Sequence, residues 1–516
     1  MDSNGDGIGD LPGITARLSY LAWLGVDAVW LSPIYPSPMA DFGYDISDFC
    51  DVDPRFGTLR DFEALIARAK ELGLRVILDF VPNHTSDRHP WFVEARSSRD
   101  NPKREYYIFR DGRHSPSDEA GALRQSSPIP PNNWLSEFGG SAWQWDARTE
   151  QFYYHAYLKE QPDLNWRNPE VRAQMLRVLE FWLERGVDGF RVDTIHHLFK
   201  DELLRDNPPN PDFAPGMPPH RRLIREFTTD RPEVQQAIAA IRQVVDRYPD
   251  RVLIGEAWLP VDRLMAYYGV DLSGLHLPFN FQLLQARWEV PILRSIVARY
   301  EESLPSGAWP NWVLGNHDRP RIASRVGDAQ ARVAAMLLLT LRGTPTLYYG
   351  DELGMKNVAI APEQVRDPWE KNVPGIGVGR DPERTPMHWS GESGAGFTSG
   401  TPWLPLGADY VERNVDTQSK DPHSTLNLYR QLLTLRRREP ALSIGSYREI
   451  DTGPDVLGYV REYAGRRIAV LLNLSSHPQL PVLNPEVERA KLVLSTRAER
   501  ELGSTPSEVA LGPDEG

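Results

Sequence analysis

Residues 75–84 read RVILDFVPNH, a short run through Val76, Ile77 and Leu78 that ends on a carboxylate, Asp79, with Asn83 and His84 just beyond. The segment before it, Leu59 to Leu72, carries Phe62, Leu65, Ile66 and Ala69 at helical spacing. A helix therefore leads into a strand that ends in polar residues. The unit recurs: Val26 to Pro33, Arg75 to Val81, Gly189 to Asp193, Val252 to Trp258, Leu275 to Phe281, Trp312 to Asp318 and Thr344 to Glu352 alternate with helical stretches such as Glu170 to Arg185. Short strands alternating with amphipathic helices predict an α/β fold, a parallel (β/α) barrel.

Two stretches interrupt the alternation. Residues 84–159, rich in Pro, Ser, Arg and aromatics, are too long for a simple βα connection and read as an inserted subdomain B. After about Ile444 the helical pattern gives way to strand-like runs, Leu457 to Tyr463 and Arg467 to Leu474, which predicts a C-terminal antiparallel β domain. The expected division is a catalytic barrel over 1–83 and 160–440, subdomain B over 84–159 and the β domain over 441–516. A proline cluster, NPPNPDFAPGMPPH at 207–220, follows the third run and suits either a pocket wall or a plain surface loop.

Composition removes several function classes. A chain of 516 residues with 41% hydrophobic and 25% charged residues is an ordinary globular protein. Its net charge of −13 opposes nucleic acid and anionic membranes as partners. Cys50 is the sole cysteine, so no intrachain disulfide or cysteine-based metal site can form, and a reducing compartment fits. Met1 leads into Asp2-Ser3-Asn4-Gly5-Asp6-Gly7 rather than a basic and apolar leader, and the most apolar stretch, near Ala334 to Leu341, is far shorter than a membrane span. A cytoplasmic protein is expected; oligomeric state is not readable.

In such a barrel the chemistry comes from residues at the C-terminal ends of the strands. Here those are Asp79, Arg191 with Asp193, Glu256, and Asn316-His317-Asp318. One strand-end carboxylate can simply cap a helix, but several converging like charges cost energy that function must justify. Converging carboxylates suggest acid/base and nucleophilic chemistry at an acetal. There is no H-E-x-x-H or phosphate-binding P-loop, and Gly375-Ile376-Gly377-Val378-Gly379 neither follows a strand nor opens a helix. His196-His197 reads as one core and one solvent histidine. At the N-terminus, Asp2, Asn4, Asp6, the Ile8 carbonyl and Asp10 repeat oxygen ligands around turn glycines, a pattern that suits a hard cation, with an Asx-rich turn as the alternative, although Pro12 rules out an EF-hand. Tyr44, Phe138, Tyr157 and Trp258 lie near the acids in sequence and either offer flat faces for a sugar or serve as core and interface packing, which position alone does not decide.

Together the blocks DSNGDGIGDL (2–11), GYDISDF (43–49), DFVPNHTS (79–86), QPDLNW (161–166), GFRVDT (189–194), GEAW (255–258), VLGNHD (313–318), TPTLYYGDELGM (344–355) and GRDPERTPMHW (379–389) resemble glycoside hydrolase family 13, the α-amylase family, in its bacterial α-glucosidase and oligo-1,6-glucosidase branch. The resemblance implies a (β/α)8 TIM barrel with subdomain B inserted after the third family strand. It makes Asp193 the nucleophile, Glu256 the acid/base and Asp318 the carboxylate that holds sugar hydroxyls, with Arg191 keeping Asp193 ionised. His84, His317, Tyr44, Asp45 and Arg380 then bind the nonreducing glucose, Phe138 and Tyr157 form aromatic walls, and Arg384 supports them.

The same resemblance implies small α-glucosides as substrates, an exo mode with retained configuration, and transglucosylation as a side reaction. Thr194, directly after the nucleophile, accompanies α-1,4 preference where valine accompanies α-1,6. The loop at 2–10 is implied to hold structural calcium (Ca2+), sometimes magnesium. Family members carry one further strand just before that loop. It is absent here, so a sheet of seven runs is expected to show unpaired edges, with a misassigned start as the expected reason. A trehalose synthase-like isomerase is the alternative enzyme, and a scaffold like the heavy chains of amino-acid transporters the non-enzyme alternative.

Overall fold

The computed structural model describes residues 1–113, 128–481, 490–497, 499–500, 502–503 and 509–516, so parts of the expected subdomain B and C-terminal domain lie outside it. Seven parallel strands follow one another round a barrel: β1 (Ala28–Leu31), β2 (Arg75–Phe80), β6 (Gly189–Val192), β7 (Val252–Gly255), β8 (Leu277–Pro278), β9 (Asn311–Val313) and β10 (Thr344–Thr346). The first five form one sheet in that order, β9 pairs with β10, and a single parallel bridge from Asn280 to Trp312 joins the two groups. The outer edges of β1 and β10 have no strand partner among the described residues, as expected for seven runs.

Each predicted run contains or overlaps its strand, but the strands are shorter. Leu275 to Phe281 yields only Leu277–Pro278, because proline has no N–H to continue the ladder.

Helices surround the sheet with their apolar faces inward. Thr58 caps Leu59–Glu71 in a reciprocal capping box with Asp61, and Phe62, Leu65 and Ala69 are buried while Ile66 is half-buried. Asn168 caps Pro169–Glu184, which buries Val171, Met175, Leu179 and Trp182. Within 84–159 lies a small antiparallel sheet of β3 (Phe109–Arg110), β5 (Gln151–Tyr154) and β4 (Trp143–Asp146), in that order. The C-terminal region forms a second one from β11 (Ser446–Ile450), β12 (Val456–Tyr463) and β13 (Arg466–Asn473). Among the described residues no helix is long and apolar enough to cross a membrane.

Register brings the acids together. Asp79 pairs with Arg191 and Val192 with Gly255. Side chains paired across parallel strands share a face, as do residues two apart on one strand. Asp79, Arg191, Asp193 and Glu256 therefore project to the same side, at the C-terminal ends of three neighbouring strands.

Candidate active site

One guanidinium organises that cluster. Arg191 Nη1 donates to Asp79 Oδ1 at 2.8 Å and to Asp193 Oδ1 at 2.6 Å, and Nη2 donates to Glu256 Oε2 at 2.8 Å. All four side chains are buried. Thr194 adds two bonds: its N–H donates to Glu256 Oε2 at 3.0 Å and its hydroxyl to Asp193 Oδ2 at 3.0 Å. Trp258 Nε1 donates to the other oxygen of Glu256 at 2.9 Å.

Burial and charge set the proton affinities. Burial pushes Asp193 up to about 6 against the opposing pull of Arg191. The expected effect of Arg191 is present in direction but is outweighed, so Asp193 is ionised only above about pH 6. Glu256 rises to about 7, through burial first, with Arg191 opposing and the charge of Asp193 adding. A carboxyl whose proton affinity burial raises to about 7, as at Glu256, suits a proton donor. Burial alone would raise Asp318 as well, yet its surroundings hold it well below the usual carboxylate range. Burial pushes His317 down to about 3, leaving it uncharged at neutral pH. Arg380 and Arg384, at 3.4 and 3.0 Å from Asp318 Oδ1, are therefore the charges that matter.

These residues open onto a cavity of about 540 Å3, an ordinary size for a small-molecule site. Tyr44, His84, Phe138, Tyr157, Asp193, Thr194, Glu256, His317, Asp318 and Arg380 all line it. Tyr44 donates to Asp79 Oδ2 at 3.0 Å and stacks on His317, with ring centroids 5.7 Å apart. His84 Nε2 meets the Tyr44 carbonyl at 3.1 Å. Phe138 stacks on Trp369 beneath the Arg380 guanidinium. Arg191 and Arg384 stand behind the lining. The latter donates to the His317 carbonyl at 2.7 Å and to Asp318.

Asp45 differs from expectation. It is fully buried and does not line the cavity, because its oxygens accept from the Ser37 hydroxyl and from the backbone N–H groups of Ala40 and Asp41. It fixes the 37–41 loop instead. The carboxylate that faces the cavity is Asp41, which accepts from Arg380 Nη2 at 2.7 Å and from Gln161 at 3.2 Å.

His196 and His197 also differ. They lie on a 3-10 turn, Ile195–His197, that follows the left-handed Thr194, so neither helix nor strand periodicity applies. Both are buried, both line the cavity, and their rings meet at 4.4 Å. The glycine loop contributes Ile376, Gly377 and Val378 to the wall, and the proline cluster with the turn after it contributes Pro218, His220 and Arg221.

The N-terminal loop is closed by its own hydrogen bonds. Asp2 accepts from the N–H groups of Asn4, Gly5 and Gly7 and from the Thr398 hydroxyl. Asn4 Oδ1 accepts from Asp6 N, and Asp6 Oδ1 from Ile8 N. Asp10 caps the helix Leu11–Leu24 through Gly13 N and also accepts from Ser3. Among the described residues no group of three or more His, Cys, Asp or Glu side chains stands close enough to hold a metal.

The family model of the alpha-amylase catalytic domain matches residues 1–445. This chain belongs to the α-amylase family. Among relatives, a protein of Rhizobium meliloti (strain 1021) named probable alpha-glucosidase is 43% identical, the match covering 92% of this chain and 87% of that protein. Maltase 1 of Drosophila virilis is 40% identical over 100% of this chain and 83% of its own length. Among solved structures, the alpha-glucosyl transfer enzyme XgtA superposes with a TM-score of 0.89 at 40% identity, covering 99% of this chain and 95% of that one. The α-amylase family barrel of this chain thus carries its charged cluster at the C-terminal strand ends, the face where such barrels build active sites.

Proposed function

We propose that this chain is an exo-acting, retaining α-glucosidase that removes terminal nonreducing α-linked glucose from maltose, short oligosaccharides and aryl or alkyl α-glucosides. The observation that carries the reading is the single buried guanidinium of Arg191 bonded to both Asp193 and Glu256. It holds two carboxylates close together on one face, as the roughly 5 Å spacing of a retaining pair requires. The names of the relatives point the same way.

In the first step an Asp193 oxygen bonds to the anomeric carbon while Glu256, protonated through its raised affinity, gives its proton to the leaving oxygen. In the second, Glu256 takes a proton from water, which displaces Asp193 and releases α-glucose; a sugar in place of water gives transglucosylation. Asp318, held ionised by Arg380 and Arg384, accepts hydroxyls of the bound sugar. Tyr44, His84 and His317 enclose that sugar, and the Arg380–Asp41 ion pair closes the wall beyond it. Thr194 supports a preference for α-1,4 linkages.

A structural cation in the N-terminal loop is part of this reading on donor chemistry alone. Asp2, Asn4, Asp6, Ile8 and Asp10 offer only oxygen, as calcium or magnesium prefers; an ion would have to draw Asp2, Asp6 and Asp10 closer than they stand, and bound there it would brace the loop. A cytoplasmic location rests on the lone Cys50.

The test is release of nitrophenol from an aryl α-glucoside, with product analysis on maltose. Glucose from maltose, abolished by Asp193→Ala, supports the reading; trehalose as the main product would favour a glucosyl isomerase, and no turnover of either would overturn it.

A further inference from the structure

Five acids line the cavity, and each has a cationic partner. Asp41 pairs with Arg380, Glu137 with Arg225, Asp193 and Glu256 with Arg191, and Asp318 with Arg380 and Arg384. Arg325 spends its donors on the carbonyls of Leu283, Ala286 and Leu314. Two cations remain: Arg319 and Arg221 line the same cavity, and neither forms an ion pair among the described residues, although the charge of Asp318 reaches Arg319.

Their position gives them a use. Arg319 lies over the indole of Trp258, 5.0 Å from its centroid, and Trp258 bonds to Glu256. Glu256 faces the leaving oxygen, so Trp258 and Arg319 flank the aglycone rather than the glucose. Arg319 is half-buried in the cavity wall, and its Nε has no hydrogen-bond partner. Arg221, on the turn Pro219–Arg222, is exposed and lines the same cavity, near enough for its charge to act on Arg319. An arginine fork matches a planar carboxylate, and a dianion would meet more repulsion from the acids deeper in the cavity.

We infer that the aglycone side of the site is built for an anionic group: this enzyme takes α-glucosides whose aglycone carries a carboxylate, bound by Arg319 with Arg221. The inference rests on the α-glucosidase reading and adds no step to it. The bond between the anomeric carbon and oxygen breaks, Glu256 protonates that oxygen, and the carboxylate-bearing alcohol or phenol leaves.

The experiment compares kcat/KM for 4-carboxyphenyl α-glucoside and its neutral twin, 4-carbamoylphenyl α-glucoside, at low and high salt. The carboxylate is expected to be favoured about tenfold at low ionic strength, a typical gain for one charge-assisted hydrogen bond, and less at high salt. The ratio should fall towards one in Arg319→Gln and drop part-way in Arg221→Gln, whose exposed position leaves folding intact. Turnover of the carbamoyl compound with a ratio at or below one would overturn this inference alone. Inertness towards both would overturn the α-glucosidase reading, and this inference with it.

Discussion

The backbone N–H of Thr194 donates to Oε2 of Glu256 across 3.0 Å. It can do so because Thr194 adopts the left-handed conformation, φ +39°, which costs a β-branched residue on the order of 1–3 kcal/mol. The turn directs its N–H at one carboxylate of the cluster, Glu256, and its hydroxyl at another, Asp193. One strained residue thereby sets the orientation of both.

Thr194→Val keeps the shape and removes the hydroxyl. The Thr194 bond lowers the Asp193 affinity for a proton, so its loss raises that affinity. The acidic limb of kcat/KM, expected near pH 6 in the parent, should move up by as much as about one unit, with the alkaline limb near 7 less affected. A pH–rate profile on an aryl α-glucoside checks this; an unmoved acidic limb would deny the hydroxyl its role.

Glu256→Ala should separate substrates by leaving group. Nitrophenol leaves with little protonation and the glucose of maltose does not. The variant is thus expected to lose on the order of 100- to 10,000-fold on maltose, and far less in the glucosylation step on nitrophenyl α-glucoside, read from its burst. Equal losses on both would remove Glu256 as the proton donor.

Glu256→Gln should change stability in a pH-dependent way. The folded-state affinity of Glu256 is raised to about 7 from 4.5, so its stabilising share is complete below about pH 4 and is lost as pH rises through 7. Removing the charge is therefore expected to raise Tm at pH 8, by an amount equivalent to on the order of 3 kcal/mol, and to leave it unchanged at pH 4. Scanning calorimetry at the two pH values decides it; equal gains would mean that burial does not strain this carboxylate.

In the N-terminal loop, calcium should raise Tm and a chelator lower it, with Asp6→Ala abolishing the difference. Asp2→Ala should lower Tm with or without the ion, because Asp2 ties Gly5, Gly7 and Thr398 together. A Tm indifferent to calcium and chelator would remove the cation from the reading.

Much of the barrel was legible because its strands end in chemistry: Asp79, Arg191, Asp193 and Glu256 follow from where each run stops, and parallel register does the rest. What failed turned on loop backbone. Asp41 and Asp45 stand in one short stretch, and the one turned inward is chosen by positive φ at Met39, Phe42 and Gly43. Gly43 suits that position because its φ of +101° is strained for any side chain, and a Cβ would also crowd the Pro33 carbonyl at 3.1 Å. The paired burial of His196 and His197 depends on the left-handed Thr194 just before them, and residue type does not announce that. Nor did the spacing of Ile376, Gly377 and Val378 show that their loop returns to the cavity from a distant part of the chain.

The most direct test of the nucleophile is to trap the intermediate with 5-fluoro-α-D-glucosyl fluoride and map the labelled peptide by mass spectrometry. A glucosyl ester on Asp193, absent from Asp193→Ala, is the expected result. A label on Glu256, Asp318 or any other carboxylate would contradict the assignment.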